Sequence, residues 1–176
     1  MTLDPQELSY RARALAQTHP LTPLAKRFID RAVGEQRTSQ PLPEIGIWAG
    51  AALIVGYCLR RVEEDDAGLT LQGVEGAGYD LDGLDDEVSD IAAGVRTEGA
   101  GDYLIGDEER TVAALDRLVH SEVDKRLEHW RDSVDDQAWA ELEEYLTWWV
   151  VKGYALRVAE RQLGLVAPLA GRAAAS

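Results

Sequence analysis

One cysteine, one methionine, one phenylalanine and three histidines are all that this 176-residue chain offers of those types. The lone thiol, Cys58, excludes an internal disulfide. Lying in an apolar run, it reads as a buried, unreactive group in a reducing, cytoplasmic setting. His19, His120 and His129 are too scattered for a catalytic triad or a zinc pair. Gly-x-Ser-x-Gly, a Walker loop and a dinucleotide fingerprint are absent, so acyl transfer and phosphate-loop chemistry find no support. The longest uncharged run, Ile45 to Leu59, is 15 residues, short of the roughly 17 to 25 that a spanning helix needs. It reads as a central core helix rather than a membrane segment. Met1-Thr2-Leu3-Asp4-Pro5 has neither a basic nor an apolar stretch, so no secretory signal is expected.

What the chain does hold is acid, and the acid is segregated. Between Glu63 and Glu109 stand sixteen acidic residues against one basic residue, Arg96, together with nine of the sixteen glycines. The rest of the chain is nearly neutral, with sixteen acids and seventeen bases. Fifteen of the eighteen bases are arginine, a bias that fits a GC-rich bacterial genome and carries no mechanism. A strongly acidic face disfavours direct contact with nucleic acid or an anionic membrane and suits a basic protein partner. Apolar residues at 45% and charged residues at 28% are those of a folded chain of single-domain size.

The helical signals frame this acidic segment on both sides. Asp4-Pro5-Gln6-Glu7 reads as an N-cap, a proline at the first helical position and a capping-box glutamate; Thr22-Pro23 repeats the start. The second helix is expected to close at Gly34. A third, apolar almost all round, runs from about Glu44 to Glu64. Asp107 caps a long helix reaching about Asp132, and a last helix carries Trp139, Leu142, Leu146, Trp149, Gly153 and Leu156 inward. The expectation is an all-α helical bundle of about four main helices. A long acidic, glycine-rich crossover over 63–109 contains a short helix around Val88 and Ile91. One domain covers 1–164, with a loose tail over 165–176.

Two internal similarities stand out. Gly56-Tyr57-Cys58-Leu59-Arg60-Arg61-Val62-Glu63 resembles Gly153-Tyr154-Ala155-Leu156-Arg157-Val158-Ala159-Glu160, sharing Gly, Tyr, Leu, Arg and Glu. A glycine inside a helix costs about 1 kcal/mol against alanine, so both glycines ask for a close helix crossing. Identity at this level also arises by accident, and packing is the expected role. The second similarity lies inside the acidic segment, where Glu75-Gly76-Ala77-Gly78-Tyr79 echoes Glu98-Gly99-Ala100-Gly101-Asp102-Tyr103. Each reads as a glycine loop and an aromatic before an acidic helix start.

Several constellations bear on function. Asp80-x-Asp82-Gly83 lacks the order of a calcium loop. Asp116, His120 and Asp124 share a helix face that reads as ordinary polar surface, beside an i,i+4 pair of Glu122 and Arg126. Glu63-x-x-Asp66 and Glu87-x-x-Asp90 are two acid steps able to place four carboxylates around Mg²⁺. Over these 28 residues the chain resembles the all-α nucleotide pyrophosphohydrolases of the MazG type, departing from them in the glycine-rich stretch between the steps. That resemblance implies a Mg²⁺-dependent phosphohydrolase with Glu63, Asp66, Glu87 and Asp90 as ligands. The leading expectation is instead a non-enzymatic domain without a cofactor that binds a basic protein through Tyr79, Asp80, Asp82, Asp85, Asp86, Asp102, Tyr103 and Trp148. Since Trp148 and Trp149 cannot both face inward, one of them is expected at an interface, as in a homodimer.

Overall fold

The computed structural model describes residues 3–18, 20–69, 72–73, 80–97, 103–128, 135–162 and 166–167. Its fold is all-α. Helix α1 (Pro5–Ala16) starts where Asp4 accepts a hydrogen bond from the Glu7 amide, and α2 (Pro23–Ser39) where Thr22 accepts from the Ala25 amide. Both open on proline at the first position, where the missing N–H is not needed. Helix α2 runs five residues past Gly34, where a correction is needed to the expected stop. The backbone there stays helical and a Cβ at position 34 would meet no atom within 4 Å.

Helix α3 (Pro43–Asp66) is the central element, with Ala52, Leu53, Tyr57, Cys58 and Leu59 fully buried. It closes on Gly68 at φ +74°, with the amides of Gly68 and Leu69 bonded back to Asp65 and Glu64. That is a Schellman ending, in which the left-handed residue is glycine because a Cβ would be strained there. Among the described residues α3 alone is long and apolar enough to cross a membrane, and 67% of that stretch is buried inside the fold.

Helix α4 (Leu81–Thr97) begins at Asp80, whose carboxylate accepts from the amides of Asp82 and Gly83. At 17 residues it is as long as α2, not the short helix expected. Its apolar row of Leu84, Val88, Ile91, Ala92 and Val95 is buried. Helix α5 (Glu108–Leu127) follows Asp107, which occupies the cap position without a side-chain bond. Helix α6 (Asp136–Gln162) completes the set, capped by Asp135 through the Ala138 amide. A two-residue antiparallel ladder joins β1 (Gln72–Gly73) to β2 (Val166–Ala167), so part of the expected loose tail is paired.

Helices α3 and α6 pack against each other at the centre. On one side α1 and α2 pack on α3; on the other α4 and α5 pack on α6, and α1 and α5 meet between the sides. Each side is therefore a three-helix unit. Two grooves reflect the same division. One, about 230 Å³, lies among α2, α4 and α6 and includes Trp148, Trp149 and Lys152. The other, about 340 Å³, lies among α5, α1 and α3 and includes Ala51 and Val55, the residues 97 positions before Trp148 and Lys152.

Candidate functional site

The two copies of Gly-Tyr-x-Leu-Arg-x-x-Glu meet at the crossing of α3 and α6. A Cβ built on Gly56 would lie 1.9 Å from the Val150 carbonyl oxygen, and one on Gly153 would lie 2.0 Å from that of Leu53. Leu53 and Val150 each stand three residues before their own helix's glycine, so the contact is reciprocal. Only glycine admits a backbone approach of this kind.

One turn further along, the side chains exchange partners across the crossing. Arg60 Nη1 donates to the Tyr154 hydroxyl at 3.0 Å, and Arg157 Nη1 donates to the Tyr57 hydroxyl at 3.1 Å. Each guanidinium carbon also sits 5.5 Å from the centroid of the same tyrosine ring, close enough for a cation–π attraction. The Tyr154 hydroxyl in turn donates to Glu63 Oε1 at 2.5 Å, while the Thr111 hydroxyl donates to Glu63 Oε2. In the other copy the Thr22 hydroxyl donates to Glu160 Oε2 at 2.7 Å. Thr22 thus caps α2 and holds α6 at once, and Thr111 ties the start of α5 to α3.

This network is shielded from water. Tyr57 and Tyr154 are 0% exposed, Glu63 and Glu160 1%, Glu64 2%, Arg157 4% and Arg60 5%. Ions in such a setting are stable only when paired and hydrogen-bonded. Glu64 meets that condition: it accepts Nε and Nη2 of Arg157 in a fork, at 3.1 and 2.9 Å to Oε2. Burial holds both tyrosine hydroxyls well above their ordinary pKa, reinforced by Glu63 beside Tyr154 and Glu160 beside Tyr57. They remain neutral donors. Burial also raises the carboxyl of Glu160, against the opposing pull of Tyr57, Thr22 and Arg157. Three carboxyls share this cluster with Arg60 and Arg157, with Arg161 at its half-buried edge, so a proton on Glu160 would spare the core a third buried carboxylate charge. Cys58, between the tyrosine and the arginine in sequence, is pushed up to about 12 by burial and is no nucleophile.

The acids named from sequence divide in two. Glu63 is bound to Tyr154 and Thr111, and Asp66 accepts from Arg110 at 3.0 Å and from the Leu3 amide. Glu87 and Asp90 lie on α4, which packs on α6, half-buried and exposed respectively. Among the described residues no group of three or more acids, histidines or cysteines could hold a metal ion. Asp85 accepts from Lys152 at 3.0 Å and Asp82 from Arg31 at 2.5 Å. Asp80 caps α4, and Asp86 is exposed. Tyr103 uses its carbonyl to accept Arg60 Nη1 at 2.6 Å, and its ring covers Gly94. Trp148 is half-buried against Lys152 and Arg96. Tyr79 and Asp102 lie outside the described residues, as do His19, His129 and Trp130. Glu122 and Arg126 form their expected pair at 3.1 Å.

The residues that sequence reasoning undervalued are Glu64, Thr22, Thr111 and Arg161. The repeat itself pointed to the first and the last, since each follows the shared glutamate. Fold and site together define an all-α protein of two three-helix units closed over a shared ion network. Comparison with family models, with curated proteins and with solved structures finds no match to this chain.

Proposed function

We propose that the protein is a non-enzymatic binding domain whose acidic helix α4 receives a basic protein partner. The observation that carries this reading is how the acidic segment sorts its charges. Those directed into the fold are answered within it: Glu64 by Arg157, Asp66 by Arg110, Asp85 by Lys152. Asp86 and Asp90 are exposed on α4 and continue, at i+4 and i+8, a row that begins with Asp82, which is exposed as well although it meets Arg31 of α2. Such a row repels itself, by a few tenths of a kcal/mol per neighbouring pair, and a basic partner would relieve that repulsion. The buried thiol of Cys58 supports a reducing, cytoplasmic setting for this role.

The test is titration of a fluorescent ten-residue oligolysine into the intact protein at low salt. Exposed pairs contribute about 0.5 kcal/mol each, so neutralising all three aspartates (Asp82→Asn, Asp86→Asn, Asp90→Asn) should weaken binding about tenfold. Added salt should erase the difference as the charges are screened. Equal affinity of the triple variant and the native chain at low salt would overturn the proposal.

A further inference from the structure

The two halves of the ion network differ at one position. Position 64 follows the shared glutamate of α3 and is Glu; its counterpart 97 residues later, following the shared glutamate of α6, is Arg161. Glu64 reaches across the crossing to fork Arg157. The reciprocal bond, from position 161 to Arg60, cannot form, because position 161 carries a second cation. Arg60 is left with the Tyr103 carbonyl and the Tyr154 hydroxyl, both on Nη1. Among the described residues its Nε has no hydrogen-bond partner, and the carboxylate of Glu64 stands off at 3.8 Å. Arg161 Nη1 also lacks a hydrogen-bond partner among the described residues.

Beside these two arginines there is a cavity of about 440 Å³. Both Arg60 and Arg161 line it, and Leu69, Leu104, Ile105 and Val158 supply much of the rest of its wall. The Arg60 side chain is only 6% exposed. A guanidinium held almost wholly out of water is a standing cost, and a carboxylate on the cavity side of Arg60 would offset the burial of that charge.

We propose that the cavity binds a small aliphatic carboxylate, which takes the place that Glu64 occupies in the other half. The carboxylate would face Arg60 and Arg161, the pairing for which a planar fork is suited. The hydrocarbon would lie against Leu69, Leu104, Ile105 and Val158. The other half of the molecule specifies the chemistry, since there the same motif arginine selects a carboxylate from the chain itself.

Thermal unfolding of the intact protein tests this, with isovalerate as the probe and isoamyl alcohol and inorganic phosphate as controls at constant ionic strength. Isovalerate at about a hundredfold excess over its Kd should raise Tm by roughly 5 °C or more, and the alcohol should not. Arg161→Glu installs a carboxylate at the vacant position; it should raise Tm without any ligand and abolish the response. Arg161→Gln removes the cation without replacing the carboxylate, so it should lose the response without the gain in Tm. No shift with isovalerate in the native protein would overturn the proposal. So would an equal shift in Arg161→Glu or Arg161→Gln, or a shift with phosphate alone.

Discussion

At the end of α3 the shared geometry of the crossing closes on Glu64, and at the end of α6 the same geometry opens on Arg161. The backbones of the two units obey one rule there, because glycine against carbonyl tolerates no alternative on either side. The side chains one turn away do not. One half has an internal fork of Arg157 and Glu64, and the other has two guanidiniums beside a cavity. The grooves outside the crossing diverge in the same manner: Ala51 and Val55 in one half stand where Trp148 and Lys152 stand in the other. Backbone packing can hold a symmetric frame while single side chains give each half its own chemistry.

Three sets of substitutions would break or sharpen this contrast. The largest effect is expected at Glu64. Glu64→Ala leaves Arg157 buried without its carboxylate, and breaking a buried pair in this way costs about 3–5 kcal/mol. Urea unfolding should show that loss. A loss below about 1 kcal/mol would mean that the closed half does not depend on its fork.

Next come the glycines. Gly56→Ala and Gly153→Ala each drive a methyl group into a carbonyl on the opposite helix, and both should lose about 3 kcal/mol despite the better helix propensity of alanine. Similar losses at the two sites would support the reciprocity of the frame. Gly34→Ala, with open space at its Cβ, should instead gain up to about 1 kcal/mol.

The smallest effect concerns Glu160, whose carboxyl is raised above its ordinary value of 4.5 by burial. A native state that holds this proton more tightly than the unfolded chain has its full advantage below the unfolded pKa and loses it as pH rises through the folded one. Compared with Glu160→Gln, which carries no such proton, the native protein should therefore lose stability from pH 4.5 toward neutrality. Urea unfolding of both proteins across that range checks the sign, and parallel curves would remove Glu160 from the charge balance.

Much of the frame was legible from short-range signals. The caps at Asp4 and Thr22, the prolines after them and the apolar run of α3 act within a turn or two, and each marks its helix in the structure. The shared Gly-Tyr-x-Leu-Arg-x-x-Glu was visible as well, and its glycines did demand a close crossing. The extent of α2 was not, because Gly34 can end a helix and only the packing of the following turn decides that it does not. Charge counting failed in a different way. It assigned Glu63 and Glu64 to an acidic surface by their place in the chain, whereas the face of α3 on which they lie turns them inward to Tyr154, Thr111 and Arg157. The same limit concealed Arg161, whose importance depends on what Glu64 does 97 residues earlier.

The exchange of partners at the crossing also orders events in time. The bonds from Tyr154 to Glu63, from Arg157 to Glu64, from Arg60 to Tyr154 and from Arg157 to Tyr57 join residues 91, 93, 94 and 100 positions apart. Contacts so distant in sequence form slowly, since a long loop must close before they return any energy. During synthesis α1, α2 and α3 emerge first; Tyr103 and Thr111 can then meet Arg60 and Glu63, but Glu64 has no Arg157, and Arg60 and Glu63 have no Tyr154, until α6 has left the ribosome. The first unit can gather its helices early, but it cannot dry its centre until the second arrives.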